Sequence, residues 1–293
     1  MKKLILTMMG LALFATSCSD DDSVSVPQNS NLDLNLSGLE DLGSDYVYEG
    51  WIIVDGLPVT TGRFSINATG TLSQTSFPIL KSVLDAATTF VLTIEPAVGD
   101  DPAPSDVHVL AGDFSGTNGV LTLQHSAALG TDFTSSMGKY ILATPTDSDM
   151  TNEDSGIWFL DNSGTSPVAG LTLPTLPAGW KYEGWAVVNG VPISTGTFLT
   201  PSGMDSSGIF SGASASPPFP GEDFLINAPA GVTFPISLLG KTVVISVEPS
   251  PDNSPAPFAL KPLVHTVPVT ASTHTVLTMN QNLGVVPTGT VSR

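Results

Sequence analysis

The chain has 293 residues, with nine Lys and Arg against 27 Asp and Glu, and a single cysteine. This acidic and sparsely charged composition argues against nucleic-acid or anionic-lipid binding, which needs clustered Lys and Arg. One cysteine excludes an intrachain disulfide framework, and 28 Gly with 24 Pro suit short strands and turns better than long helices.

In chain order, the first predicted element is an export signal. Met1-Lys2-Lys3 precedes an apolar run from Leu4 to Thr16, too short to span a bilayer. Small residues Ala15-Thr16-Ser17 then lead into Cys18. This segment resembles a lipobox, with Ala15 in the place usually held by Leu. The resemblance implies cleavage after residue 17 and lipidation of Cys18, so that its sulfur cannot serve as a nucleophile. Loss of the leader removes Lys2 and Lys3, so seven cations face 27 acids in the remainder. The next residues, Ser19-Asp20-Asp21-Asp22, resemble the surface-export signal of some Gram-negative lipoproteins. They imply an outer-membrane protein facing outward, with the periplasmic face as the alternative. Residues 18–31 read as a flexible tether.

From here the sequence repeats itself. The segment from Tyr48-Glu49-Gly50-Trp51 to Phe64 recurs without a gap from Tyr182-Glu183-Gly184-Trp185 to Phe198. The offset is 134 (182 less 48). A second block, Val91 to Pro96 with Glu95-Pro96, recurs as Val244 to Pro249 with Glu248-Pro249. Its offset is 153 (248 less 95), so the second copy carries a net insertion of 19 residues between about Pro201 and Pro235.

The spacing predicts strands at Trp51–Val54, Pro58–Phe64, Phe90–Ile94, Val107–Phe114, Val120–His125, Lys139–Thr144 and Ile157–Leu160, with one short helix within Pro78–Thr89. Asp55-Gly56 and Asn189-Gly190 are hairpin-turn dipeptides. The expected fold is all-β: two tandem immunoglobulin-like β-sandwich domains, at 32–160 and 169–293, joined by a linker at 161–168.

These blocks resemble the extracytoplasmic C-terminal domain of RskA-type anti-sigma-K factors. The matching residues are Trp51, Gly56, Pro58, Gly62, Phe64, Thr93, Glu95, Pro96, Gly99 and Pro104. In the second copy they are Trp185, Gly190, Pro192, Gly196, Phe198, Glu248, Pro249 and Pro257, with Ser246 replacing the Thr. The resemblance covers about half of each unit. It implies the sensor half of that family in duplicate, without the helical sigma-binding domain.

Several constellations could carry chemistry. Glu49, Glu183, Glu95 and Glu248 could act as paired carboxylates, although a Glu-Pro at a strand end commonly marks a turn. Asp147, Asp149, Asn152 and Asp154 alternate oxygen ligands as some calcium loops do, without EF-hand spacing. His108, His125, His265 and His274 lack the spacing of a zinc site. Trp51, Trp158, Trp180 and Trp185, with Tyr46, Tyr48 and Tyr182, could stack on sugars, with at least one of Trp180 and Tyr182 exposed. Core burial of Trp51 and Trp185 is the competing expectation.

The expected protein is a non-enzymatic envelope lipoprotein without cofactors. It is held to the membrane by its lipid and binds an envelope protein or glycan. A regulatory partner of a transmembrane anti-sigma or sensor system, and a carbohydrate-binding or carbohydrate-active surface protein, are the alternatives.

Overall fold

The computed structural model describes residues 27–252, 254–284 and 286–293. The leader, Cys18 and Ser19–Asp22 lie outside them. The first half contains β1 (Asn29–Ser37), β2 (Tyr46–Val54), β3 (Leu57–Phe64), β4 (Ser76–Leu80), the short helix α1 (Lys81–Ala86), β5 (Thr89–Pro96), β6 (His108–Ser115), β7 (Asn118–Leu121), β8 (Met137–Leu142) and β9 (Gly156–Trp158). The rest contains β10 (Leu160–Asp161), β11 (Val168–Ala169), β12 (Leu171–Thr172), β13 (Trp180–Val188), β14 (Val191–Phe198), β15 (Gly221–Asp223), β16 (Thr242–Pro249), β17 (Leu263–Thr266), β18 (Leu277–Thr278), β19 (Asn280–Gln281) and β20 (Thr288–Ser292). The protein is all-β, and its antiparallel sheets pack as sandwiches. No helix among the described residues is long and apolar enough to cross a membrane.

Local sequence explains the strands. In β1, Leu32, Leu34 and Leu36 are buried and alternate with exposed Asp33 and Asn35, the period of a half-buried strand. Its first residues, Asn29 to Asn31, pair with Leu80 to Pro78 of β4, so ordered structure begins inside the stretch expected to be tether. Asp55-Gly56 and Asn189-Gly190 both have positive φ at the two turn positions. That is the backbone of a type I′ hairpin, whose twist matches the flanking strands.

The repeat motif also builds a bulge. Gly50 pairs with Gly62 while Trp51 pairs with Thr60, leaving Thr61 as the extra residue, and the register shifts equally at Gly184 and Trp185. A Cβ at Gly50 would stand 2.5 Å from Thr61 Oγ1 and 3.0 Å from the Phe90 ring. Thr61 is β-branched and cannot swing away easily, so only glycine fits. Gly50→Ala is expected to cost about 1–3 kcal/mol. A urea titration checks this, and an unchanged midpoint would mean the bulge relaxes freely.

Equivalent strands form equivalent sheet halves, β3-β2-β5-β6 in the first copy and β14-β13-β16-β17 in the second. The closing strands are exchanged. β20, the last strand of the second copy, inserts between β1 and β7 of the first: Val291 pairs with both Leu34 and Gly119. β8, from the first copy, pairs with its own β9 and also with β12 and β18 of the second copy, through Leu171–Gly138 and Leu277–Tyr140. β9 then pairs with β15 from the long insertion. Strand pairing therefore crosses the linker expected at 161–168, and that segment is the turn of the β10–β11 hairpin, where Leu160 faces Ala169. One apolar core runs through both copies, from Leu32 to Val291.

Candidate functional site

The paired glutamates of the repeat are framework residues with matching partners in both copies. Trp51 Nε1 donates to Thr93 Oγ1 at 2.9 Å, and Thr93 donates to the Glu95 carboxylate. Trp185 Nε1 donates to Ser246 Oγ at 2.7 Å, and Ser246 in turn hydrogen-bonds Glu248. The Thr-to-Ser difference between copies keeps the hydroxyl that the relay needs. Both tryptophans are buried, as are Trp158, Trp180, Tyr48 and Tyr182. The expectation that Trp180 or Tyr182 is exposed is therefore overturned. Trp180 packs on Phe258, and Tyr182 stacks on Phe198 with its hydroxyl bonded to the Pro174 carbonyl. Tyr48 does the same with Phe64 and the Glu40 carbonyl.

Glu49 and Glu183 accept from Thr60 and Ser194 across the hairpin. The copies differ at one flanking position. Arg63 lies 3.5 Å from Glu49 and 3.6 Å from Asp100, whereas Thr197 stands at the equivalent place. Burial pushes the Glu183 carboxyl up to about 6.

The carboxyls of the two Glu-Pro blocks close two loops. Glu95 accepts from the Ser105 backbone N–H at 2.9 Å, and Glu248 from the Phe258 N–H at 3.0 Å, each ten residues downstream. In each copy the carboxyl supplies the acceptor that the loop's backbone N–H needs. Ser105 and Phe258 occupy the same repeat position and face one cavity of about 630 Å³. Its walls are these two loops, and the β1–β2 connection forms a third side. Ile94, Val107 and Leu42 make its apolar surface, with Pro96 and Pro249 at the strand ends.

Carboxylates surround this cavity. Asp41, Asp45, Asp106 and Asp252 line it as exposed residues, and Glu40 lines it half-buried. Burial pushes the Glu40 carboxyl up to about 7, against the pull of the Lys261 ammonium and of a hydrogen bond from the Ala259 backbone. Lys261 is itself tied to the Phe258 carbonyl at 2.6 Å. Burial pushes Glu248 further, to about 8.

The calcium-loop candidates do not converge. Asp147 accepts from the Asp149 backbone and from Asn152 Nδ2. Asp149 accepts from Thr151 N and Oγ1, Asn152 from Thr144 Oγ1, and Asp154 from Ser237 Oγ. Among the described residues, no three or more His, Cys, Asp or Glu are grouped so as to hold a metal ion. The histidines each have a separate partner: the Ala127 carbonyl for His108, Asp113 for His125, Tyr140 for His265 and Glu153 for His274.

Sequence reasoning missed the acids of the insertion. Glu222 and Asp223 are fully buried. Asp223 accepts from Trp158 Nε1 at 2.7 Å and from Thr146 N at 2.9 Å. Glu222 accepts from Ser211 and Ser207, and Asp205 from the Gly221 backbone at 2.8 Å. Burial pushes Asp205 up to about 7 and raises the other two. These groups staple the insertion onto β9. The available signal was Gly221-Glu222-Asp223-Phe224-Leu225, two acids set in an apolar stretch.

Comparison with known protein families, with curated proteins and with solved structures finds no match to this chain.

Proposed function

We propose that this protein is a non-enzymatic binding module, anchored through a lipid on Cys18 and displayed outside the cytoplasm. The observation that carries the reading is the cavity between the two loops closed by Glu95 and Glu248. Concave sites between packed units, with an apolar lining and a few polar groups, are the common form of small-molecule sites. The glutamates themselves point into loop closure. Each is occupied by a hydroxyl and a backbone N–H, which leaves them serving the shape of the cavity.

The regulatory alternative rests on a specific contact. The two sequence blocks that resemble the anti-sigma-K sensor domain meet through Trp51 and Thr93, and again through Trp185 and Ser246. A sensor domain without a sigma-binding partner domain would report ligand occupancy to another envelope protein.

Delivery is tested by Cys18→Ala. This variant is expected to lose fatty-acid labelling and to leave the membrane fraction, while replacement of Asp20, Asp21 and Asp22 by Ala keeps the lipid and hides the protein from protease added to intact cells. A Cys18→Ala protein still found with membranes would refute the anchor. A triple variant as accessible as the wild type would refute the export signal.

A further inference from the structure

We propose that the cavity between the two Glu-Pro loops binds an organic cation with an apolar body, such as a substituted ammonium compound; this rests on the binding-module reading above. The first argument is charge. Four exposed carboxylates, from Asp41, Asp45, Asp106 and Asp252, line the cavity beside the half-buried Glu40, and no Lys or Arg among the described residues does so. The nearby cation, Lys261, does not line the cavity; it donates to the Phe258 carbonyl and acts electrostatically on Glu40. A concave site ringed by one sign of charge concentrates ligands of the opposite sign.

The second argument is the lining. Partly buried Leu42 and the edges of buried Ile94 and Val107 line it with hydrocarbon, and Tyr46 adds an aromatic ring that is only partly buried. An alkali or alkaline-earth ion would gain nothing from such walls and would lose its water. An ammonium group carried on an alkyl or aromatic body uses both features. Its charge faces the acids and can rest over Tyr46, while its body displaces water from the apolar side.

Third, the site is built rather than incidental. The loops on its two sides are closed by the same Glu to backbone N–H bond at the same repeat position. The cavity volume of about 630 Å³ falls within the range of small-molecule pockets. Duplication of the unit brought two copies of one loop face to face, and the acidic β1–β2 connection from the first copy completes the enclosure.

The test is calorimetric titration of the mature, unlipidated protein with benzyltrimethylammonium, its neutral carbon isostere neopentylbenzene, and benzoate, at low and high salt. The cation is expected to bind at least tenfold more tightly than the neutral isostere, and benzoate not at all. Asp41→Asn combined with Asp106→Asn should weaken the cation roughly tenfold at low salt, with less effect when salt screens the rim. Both residues are exposed, so the melting temperature of that variant should stay unchanged. Equal binding of the cation and its isostere, at a site blocked by Ser105→Trp, would overturn the cation assignment and leave the binding-module reading standing. No binding of any probe at millimolar concentration would overturn both.

Discussion

A chain lacking residues 288–293 is expected to unfold as a whole rather than fray at one end. β20 is an interior strand, flanked by β1 and β7, so its removal strips a hydrogen-bonded ladder from both neighbours. Buried Leu34, Leu36 and Leu121 lose the strand that packs beside them, and Val291 itself is fully buried. Arg293 fastens the strand further. Its guanidinium donates to the carbonyls of Leu84, Ala87 and Gly116 and lies 4.4 Å over the Phe114 ring. The loss competes with a total stability of about 5–15 kcal/mol for an ordinary protein.

The gentler variant Val291→Asp places an unpaired charge in the core and should cost about 4 kcal/mol or more. Because β8 is lent to the second copy while β20 is lent to the first, a fragment of residues 27–160 should also fail to fold. It lacks β20, which closes its sheet, and it carries β8 stripped of β12 and β18, with only the short β9 left beside it. Circular dichroism and near-ultraviolet tryptophan signals measure both outcomes. A monomeric 27–160 fragment with a cooperative melt would refute the exchanged arrangement.

The second large effect is a loss of stability as pH rises. Burial holds the carboxyls of Glu248, Glu40, Asp205 and Glu183 at about 8, 7, 7 and 6. It also raises Glu95, Glu222 and Asp223. In the unfolded chain these groups ionise near pH 4 to 4.5. Between that pH and about 8 the folded protein holds protons that the unfolded chain has released, so stability falls with rising pH. The stabilisation is fully present below the unfolded value and is lost as pH passes through the folded ones. His265, held low by burial, works in the opposite direction below about pH 6.5, but it is one group against seven. The carboxyls of Asp113, Asp132, Asp149 and Asp161 are held low by hydrogen bonds and act only in more acidic solution.

The melting temperature should fall on the order of 10 °C between pH 5 and pH 8.5. Glu248→Gln separates this cause from general charge repulsion. An amide resembles the protonated acid, so the variant should gain stability over the wild type at pH 8.5 and little at pH 5. A melting temperature that is flat or rises across this range would contradict the buried-acid account.

Much of the local architecture is legible in the amino-acid order. The Leu-Asp-Leu-Asn-Leu alternation of β1, the Asp55-Gly56 and Asn189-Gly190 turns, the short helix within 78–89 and the paired blocks all follow from side-chain period, left-handed turn residues and direct self-similarity. These signals act over a few residues or between identical segments. Burial of Trp51 and Trp185 follows from the same patterning. The partners of the closing strands do not. A strand's backbone donors and acceptors are the same whichever neighbour supplies the other half of the ladder. Met137–Leu142 and Thr288–Ser292 therefore carry no local mark of the sheet they join. Loop reach and the shared core from Leu32 to Val291 made that choice, turning an expected linker into a hairpin. The candidate site came about in the same way. Glu95 and Glu248 each close a loop within their own copy, but a cavity exists only where tertiary packing sets those loops opposite each other and brings the acids of the β1–β2 connection beside them.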